Sequence, residues 1–568
     1  MKILVVARNK VTGEKFLSNH KALSDGIELL FNQSSYFACI NALLGRTEDE
    51  VVCLVHDDVI LPPEFGVRSN FLIRELEENW PNWGLVGNAA VGALKQGYLA
   101  NQLIRYLSDS HGGPNLVGPI LPAQSVDGNL MLLNLKAMRS RALKMPDFKG
   151  FHLYDIALSI ECQCAGLAVL VAPQLSCWHG SGGNQYEFDQ ASQSASWSTY
   201  LSDHLENKQI LTLNGEKSIP LKKDSTPFAQ KRTDLVRASL RNAAEGRKRR
   251  SVGIVIRTQL RRRPLLLRAL DSIRSFIAAS GNAVDWHVHI VTDSREDAAW
   301  TGVDEQHVLR VEVPQERDSR FLLVKHAASA VETEFLWFID DDDWLFPNVA
   351  EDLAWAIACA PPAAMIFIDS QHYLERSGSD PDEISLFKST PGSYFHAADF
   401  FKSTSGVNHS PFCGVLYARE LLGSIPSRLY ESVIYYEDFA TTMYSLFEGC
   451  AFPLVLDRLC VGISVRESGN TITETDRTIW NKSMSTLASA MVNDSLNFQA
   501  LSLGEKFVLR EQIVNDDRLA IAQQKIDSLA HEIEAMLRSR SWRMTRPIRW
   551  FSDIGRYIVR GVKSLAGR

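Results

Sequence analysis

The 568-residue chain has little of several features that mark specialised classes of protein. Its nine cysteines are an odd number with no Cys-x-x-Cys pair, which argues against a disulfide framework and against a zinc ribbon. No uninterrupted apolar run reaches the roughly 18 residues that a membrane-spanning helix needs. The amino terminus lacks the long apolar core of a signal peptide and is typical of a first strand. We therefore expect a reducing, cytoplasmic setting and no integral membrane segment.

Strong charge of one sign is also missing, since the net charge is -7 from 60 basic and 67 acidic residues. This balance does not favour nucleic acid as a partner. The length predicts several domains. We divide the chain into a first domain (1–205), a linker (206–250), a second domain (251–515) and a carboxyl-terminal segment (516–568). The basic run at 247–250 is interpreted as a solvated linker or a domain contact rather than as a nucleic-acid binding segment.

Carboxylates follow an apolar strand at two places in the chain. Residues 335–339 are followed by four consecutive aspartates, Asp340 to Asp343, and residues 51–55 are followed by His56, Asp57 and Asp58. Open α/β sheets bind ligands at the carboxyl ends of their strands. Adjacent carboxylates repel each other unless a cation neutralises them, and Mg²⁺ commonly shares its coordination with substrate phosphates. The pattern predicts two divalent-cation sites, occupied by Mg²⁺ or Mn²⁺, that bind phosphorylated donors.

Both domains alternate short apolar runs with helical patterns, which predicts the α/β class with mostly parallel sheets. In the second domain we predict strands at 252–256, 286–291 and 335–339 and a helix at 320–330. A further helix beginning at Pro264 is predicted to bury Leu267, Leu270 and Ile273 on one face. Cys162 and Cys164 are both predicted to pack inside a helical segment.

The carboxyl-terminal segment combines two helical patterns. A heptad-like stripe predicts either a helix docked on the preceding domain or a short coiled-coil dimer; it comprises Leu519, Ala522, Ile526, Leu529, Ile533 and Met536. Residues 538–568 contain nine Arg or Lys and one acid, with apolar residues on one helical face. A basic amphipathic segment of this kind is typical of a membrane-surface helix.

The second domain resembles family-2 glycosyltransferases of the GT-A fold, which are inverting enzymes that use nucleotide-sugar donors. The matching sequences are residues 254–258, 292–294, 340–347, 436–439 and 465–471. The resemblance implies metal ligands at Asp340 and Asp342 and a catalytic base at Asp438. It also implies donor contacts by Thr258, Asp293, Glu437 and Arg466. Gln259, and Lys325 with His326, depart from the family pattern.

The first domain resembles a more divergent branch of the same superfamily. The matching sequences are residues 56–59 with 62–63, 126–128, 150–155 and 178–183. The resemblance implies a metal site made by His56, Asp58 and His179. It implies Asp155 as the catalytic base and Asp127 as a contact to the donor sugar.

Residues 539–549 are similar to a tail found on bacterial enzymes that assemble surface polysaccharides. Together the resemblances imply two Rossmann-like GT-A domains followed by a helical segment. The expected function is glycosyl transfer to a growing, lipid-linked glycan at the inner face of the plasma membrane. If the heptad stripe forms a coiled coil, the protein is expected to be a homodimer.

Three alternatives remain at the level of sequence. In the first, only the second domain is catalytic, and the first domain binds the acceptor. A sugar nucleotidyltransferase shares the fold and the acids, but such enzymes usually have a Gly-rich loop with a basic residue after the first strand, and neither domain shows one. A purely structural protein would leave both acid clusters unexplained.

Overall fold

The computed structural model describes most of the chain up to residue 494: residues 1–96, 101–109, 118–180, 185–204, 209–212, 215–218, 235–313, 320–375, 390–400, 410–433, 435–466 and 477–494. The described residues form the expected mixture of helices and strands, so the α/β class is confirmed. The heptad stripe and the basic tail lie outside the described residues.

The described residues divide into two compact units. The first contains residues from Met1–Gln96, Asn101–Arg249 and Asp352–Pro361, and the second contains residues from Arg250–Glu351 and from Pro362 onward. The domain boundaries inferred from composition stay predictions, because much of the linker lies outside the described residues.

The strands up to residue 218 are β1 (Lys2–Val6), β2 (Ile27–Leu30), β3 (Val51–His56), β4 (Val59–Ile60), β5 (Trp83–Gly87), β6 (Ala89–Gln96), β7 (Asn101–Arg105), β8 (Ser108–Asp109), β9 (Leu121–Val126), β10 (Leu130–Asn134), β11 (Ala168–Val171), β12 (Trp178–His179), β13 (Gln209–Thr212) and β14 (Gly215–Ser218). Later strands are β15 (Arg250–Arg257), β16 (Val284–Thr292), β17 (Val308–Arg310), β18 (Phe335–Asp340), β19 (Trp344–Leu345), β20 (Ala364–Glu375), β21 (Thr390–Phe395), β22 (Val415–Ala418) and β23 (Phe452–Arg466).

The α-helices are α1 (Lys10–Asn19), α2 (Tyr36–Leu44), α3 (Phe65–Asn79), α4 (Leu135–Ser140), α5 (Tyr154–Cys164), α6 (Gln185–Ser192), α7 (Ala195–His204), α8 (Leu235–Ala244), α9 (Arg263–Ala279), α10 (Arg320–Ala330), α11 (Ala350–Cys359), α12 (Ser427–Ser432), α13 (Glu437–Phe447) and α14 (Arg477–Asn493). None of the described helices is long and apolar enough to cross a membrane.

The two units share one strand arrangement. In the first unit the central strands are ordered β2–β1–β3–β10–β5–β11, and in the second β16–β15–β18–β22–β20–β23. The first three strands of each series are parallel. The fourth is antiparallel to both of its neighbours, and the last two are parallel to each other. In each series three of the five neighbouring pairs are therefore parallel, and the predicted mostly parallel arrangement is interrupted by one antiparallel strand.

This strand order creates a switch point in each unit. The chain leaves β1 for β2 on one side and returns to β3 on the other side, and β15, β16 and β18 repeat the pattern. Val6 is in register with His56 at the first switch point, and Arg257 is in register with Asp340 at the second. Ligands of open α/β sheets bind outside the carboxyl ends of strands at such points. Both predicted acid clusters lie there.

Two predictions of local packing were wrong. Helix α9 buries Leu265, Leu266, Leu270 and Ile273, whereas Leu267 is exposed. The spacing of Leu267 from Leu270 fits a helical face, but neighbouring leucines at 265 and 266 take the buried positions. Cys162 is buried in α5, but Cys164 at the end of that helix is exposed, and all nine cysteines are free thiols.

Candidate active sites

In the second unit, strand β18 delivers the aspartates to the switch point. Asp340 is its last residue, and the backbone N–H of Asp343 donates to the Asp340 carbonyl at 3.1 Å, which closes a tight turn. The strand is apolar and buried up to this residue, so the acids begin where the chain leaves the core. Asp340 remains half-open to solvent, whereas Asp341 and Asp343 are buried.

Arg257, the last residue of β15, joins three elements at this edge. Its guanidinium donates from Nε to Asp340 Oδ1 at 2.9 Å and from Nη1 to Glu437 Oε1 at 2.9 Å. The side chain is 6% exposed and lies over the Phe412 ring at 4.7 Å. Sequence reasoning gave Arg257 no role, although it lies in the matching sequence 254–258.

Two further guanidiniums converge on Asp342. Arg262 donates from Nη1 to Asp342 Oδ2 at 2.9 Å, and Arg466 donates from Nη2 to the same oxygen at 2.8 Å. Arg466, predicted as a diphosphate contact, ends β23, while Arg262 precedes α9 and was not identified from the sequence. Burial raises the pKa of Asp342 even though both arginines oppose that rise.

Thr258 and Asp341 form the inner part of this site. Thr258 is buried, and its hydroxyl donates to Asp341 Oδ2 at 2.7 Å. Burial, reinforced by the charge of Asp342, raises the pKa of Asp341 to about 6 despite Arg262 and Thr258. The threonine that was predicted to contact the donor therefore holds the acidic turn in this structure.

A buried network supports the same turn from behind. Arg268 of α9 donates to the Asp342 carbonyl at 2.6 Å and pairs with Glu375 at 2.5 Å. Ser464 donates its hydroxyl to Glu375 at 2.6 Å and its N–H to Asp343 at 3.2 Å. Burial and the charges of Asp342 and Asp340 raise the pKa of Asp343 well above its usual range. Asp343 is thus part of the scaffold of the turn.

Helix α13 places the predicted base beside this site. Glu437 and Asp438 form its first turn, after Tyr436, whose φ of 69° is in the left-handed region. Asp438 Oδ1 accepts from the Phe439 N–H at 2.7 Å, and Glu437 holds Arg257. Left-handed backbone at a non-glycine residue is sparsely populated and concentrates at functional sites.

Asp293 lies at the same edge of the sheet. It follows β16, whose residue Val291 is in register with Arg257 and accepts the Thr258 N–H at 3.2 Å. Its carboxyl is half-buried. The structure therefore brings Thr258, Asp293, Asp340, Asp342, Glu437, Asp438 and Arg466 to one end of the unit.

In the first unit, three predicted ligands meet at the carboxyl end of β3. Asp58 Oδ1 lies 3.4 Å from His179 Nε2 and 4.0 Å from His56 Nδ1. Among the residues that the structure describes, His56, Asp58 and His179 are the one group of three potential ligands whose ligand atoms all lie within 4.8 Å of one another. His179 comes from the two-residue strand β12, which pairs with β4 directly after Asp58.

The protonation states of this group follow from its surroundings. Burial would raise the pKa of Asp58, but His179, His56 and Arg8 outweigh burial and hold it at about 2. Burial lowers the pKa of His56, against the pull of Asp58. Asp57 is held separately by Arg8, which donates from its backbone N–H at 2.8 Å and from Nε at 2.9 Å. Arg8 was not identified from the sequence.

Asp155 lies in the first turn of α5, beside the turn that joins β9 to β10. Its Oδ2 accepts the Gly128 N–H at 3.0 Å, and its Oδ1 accepts the Ile156 N–H at 2.9 Å. Burial and the charge of Asp127 raise the pKa of Asp155 to about 7, against these hydrogen bonds. Asp127 begins the same turn, and its Oδ1 accepts the Asn129 N–H at 3.4 Å.

The two helix starts are built alike. Leu153, with φ of 65°, precedes Tyr154 and Asp155, as Tyr436 precedes Glu437 and Asp438. In both helices the aspartate is the second helical residue, and its Oδ1 accepts the next backbone N–H. The residue before each aspartate contacts the end of a central strand: Tyr154 reaches His56, and Glu437 reaches Arg257.

The donor set of the first unit fits a divalent cation. Metal–ligand bonds of about 2.0–2.2 Å bring ligand atoms to about 3–3.5 Å from one another, and the Asp58–His179 separation of 3.4 Å lies in that range. Two imidazoles with one carboxylate suit Mn²⁺ or Zn²⁺ better than Mg²⁺. The ligands must be deprotonated to bind, which the ionised Asp58 already is at neutral pH.

The second unit offers a different environment for a cation. Asp340 and Asp342 supply the carboxylate oxygens that Mg²⁺ prefers. Both carboxylates, however, already accept from arginines, Asp340 from Arg257 and Asp342 from Arg262 and Arg466. A cation bound by Asp342 would share its carboxylate with Arg262 and Arg466, which both donate to Oδ2.

Comparisons with known proteins do not assign a family. No family model and no curated protein matches the chain. Crystal structures of S. aureus TarS 1-349 are similar at 16% identity, covering 49% of this chain and 79% of that chain, with a TM-score of 0.29. For the same TarS fragment in complex with UDP-GlcNAc the values are 16%, 46% and 72%, with a TM-score of 0.29. TM-scores this low do not show that the two proteins share a fold or a function.

Proposed function

We propose that the protein is a metal-dependent, inverting glycosyltransferase that uses nucleotide-sugar donors, with a site in each unit. One observation carries the proposal. The same strand order occurs twice, and each time it brings a group of acidic side chains and a helix-borne aspartate to the sheet's switch point. A sheet edge of this kind is where open α/β folds bind their ligands.

In the second unit the arginines and acids divide the work of the reaction. A cation on Asp340 and Asp342 would neutralise charge on the leaving diphosphate. Arg262 and Arg466 have the planar donor geometry that suits phosphate oxygens. We infer that they pass from Asp342 to the diphosphate when the donor binds, which frees the carboxylate. Cation and donor would then bind this unit together.

Asp438 accepts the proton from the acceptor hydroxyl as that hydroxyl attacks. The new bond joins the acceptor oxygen to the anomeric carbon, and the bond from that carbon to the diphosphate oxygen breaks. The electron pair leaves with the nucleoside diphosphate. A single displacement inverts the anomeric configuration.

The first unit would run the same reaction with other groups. His56, Asp58 and His179 would hold the cation, and Asp155 would accept the acceptor's proton. Its pKa of about 7 is well matched to a base that works near neutral pH. The charge of Asp127 helps to raise that pKa, and Asp127 would contact the donor sugar.

The acceptor and the location are proposed from the sequence. A lipid-linked surface glycan would present its acceptor at the membrane, and the basic segment 538–568 would hold the enzyme at the inner leaflet. Dimerisation through the heptad stripe is part of the same proposal.

The proposal is tested by supplying single nucleotide sugars with Mg²⁺ or Mn²⁺ and a lipid-linked acceptor, and measuring nucleoside diphosphate release. We expect release that depends on the cation, and a product whose anomeric configuration, read by NMR, is opposite to that of the donor. Retained configuration would contradict a single displacement. Pyrophosphate release from a sugar phosphate and a nucleoside triphosphate would instead identify a nucleotidyltransferase.

A further inference from the structure

The hydroxyl of Tyr154 joins the cation group of the first unit to the turn that holds Asp155. Its oxygen lies 2.5 Å from His56 Nε2 and 2.9 Å from the Gly128 carbonyl oxygen. Tyr154 is neither one of the proposed cation ligands nor the proposed base. The role of the Tyr154 hydroxyl can be inferred by counting the protons available for these two contacts.

A carbonyl oxygen can only accept a hydrogen bond, whereas a phenol carries one proton and can also accept. The Tyr154 proton therefore goes to the Gly128 carbonyl. The second contact must then be donated by His56, so its Nε2 carries the ring proton. The reverse arrangement would leave two acceptor oxygens facing each other at 2.9 Å without a proton. A neutral His56 protonated on Nε2 has its lone pair on Nδ1, the nitrogen that lies 4.0 Å from Asp58 Oδ1.

Tyr154 is firmly held in this position. It is buried and is stacked on Tyr36, with ring centroids 4.0 Å apart and planes 11° apart. Gly128 has no side chain to obstruct it, and a Cβ there would clash with the Tyr154 oxygen. The N–H of the same glycine donates to Asp155. One peptide segment thus anchors the consecutive residues Tyr154 and Asp155.

We propose that Tyr154 is a positioning residue that locks His56 in the tautomer whose Nδ1 lone pair is directed to a divalent cation shared with Asp58 and His179. Histidine ligands depend on such partners on their other nitrogen for orientation and basicity, and loss of the partner typically weakens metal binding by about 10–100-fold. The use of this tautomer for a cation rests on the proposed function. The tautomer itself follows from the geometry alone.

The second unit supports this interpretation because it has a residue with a similar contact at the equivalent position of its helix. Glu437 occupies the place of Tyr154 at the start of its helix, and it binds Arg257 at the end of a central strand. In both units the first helical residue holds a strand-end side chain at the site, and the second helical residue is the proposed base. The chemistry of the pair differs, but its place in the fold is the same.

The first test measures the tautomer without cation or donor. In full-length protein labelled with ¹⁵N-histidine, long-range ¹H–¹⁵N spectra at pH 8 distinguish the two neutral forms, and His56→Ala assigns the signal among the 14 histidines. We expect wild-type His56 to be protonated on Nε2, and Tyr154→Phe to give a mixture of tautomers. An Nδ1–H signal in the wild type, or an unchanged signal in Tyr154→Phe, would overturn the proposal.

The second test measures Mn²⁺ binding, using the class of sites that His179→Ala removes. Tyr154→Phe should weaken this class about 10–100-fold. Tyr36→Phe is the matched control, because it removes one hydroxyl from the other ring of the same stack, and it should leave both tautomer and affinity unchanged. Unchanged affinity in Tyr154→Phe would overturn the positioning role. The wild type could also show the expected tautomer but bind no Mn²⁺ at the site of His56, Asp58 and His179. That result would contradict the cation of the proposed function, while Tyr154 would still fix the tautomer of His56.

Discussion

At the scale of single residues, Asp438 has the most demanding proposed role in the second unit. Its Oδ1 already accepts the Phe439 N–H at 2.7 Å, which fixes the carboxyl at the helix start. Asp438→Asn keeps the size and that acceptor but cannot take up a proton. We expect kcat to fall by about 10²–10⁴, with donor affinity within about twofold of the wild type. Steady-state kinetics and donor titration make the comparison; equal losses in both would show that Asp438 is structural.

The raised pKa of Asp155 predicts a pH dependence for the first unit. A carboxyl with a pKa of about 7 is mostly protonated at pH 6 and mostly ionised at pH 8. Only the ionised form can act as a base, so kcat of the first unit should rise about tenfold per pH unit below pH 7 and level off above it. The profile is best recorded in Asp342→Ala, where the second unit is silenced. A flat profile between pH 6 and 8 would contradict the role of Asp155.

At the scale of elements, Arg257 ties β15 to β18 and to α13. Arg257→Gln leaves Glu437 buried without its cation, and breaking such a pair costs about 3–5 kcal/mol. Hydrogen exchange should show that β18 and α13 open more readily by a comparable free energy. Arg262→Gln is the matched control. Its side chain is 42% exposed, so we expect a loss of less than about 1 kcal/mol. Equal hydrogen-exchange protection of β18 and α13 in the two variants would contradict a stabilising role for the buried Arg257–Glu437 pair.

The elements also show what the sequence could predict. The strand at 335–339 and the helix at 320–330 follow from local apolar pattern, and the structure has them as β18 and α10. Arg257 and Arg262, which neutralise the acids together with the predicted Arg466, were missed because their partners are distant in sequence. Arg257 and Glu437 are 180 residues apart, and no local pattern encodes that contact. The exposure of Leu267 was missed because apolar periodicity predicts that a helix has a buried face. It does not decide which of several adjacent leucines lies on that face.

At the scale of the whole molecule, the repeated strand order explains why two dissimilar acid clusters lie at equivalent places. The shared topology fixes where side chains converge, while the local residues decide what they bind. The first unit presents imidazoles and a carboxylate, and the second presents carboxylates balanced by arginines. We therefore propose that the two units differ in cation preference and in donor.

Membrane attachment is a further prediction at this scale. Deleting residues 538–568 removes nine basic residues and one acid, so binding to vesicles with anionic lipid should be lost. Co-sedimentation with such vesicles, compared with neutral ones, measures the effect. A deletion variant that still sediments with anionic vesicles would show that the tail is not the anchor.

The central claim is that the chain holds two separate transferase sites, and donor hydrolysis in wild type, Asp58→Ala and Asp342→Ala tests it most directly. A panel of nucleotide sugars is incubated with Mn²⁺ or Mg²⁺, and nucleoside diphosphate release is measured for each donor. The account predicts that each variant loses a different donor and keeps the other. If Asp342→Ala abolished all release and Asp58→Ala changed nothing, the first unit would be an accessory domain and the two-site account would be contradicted.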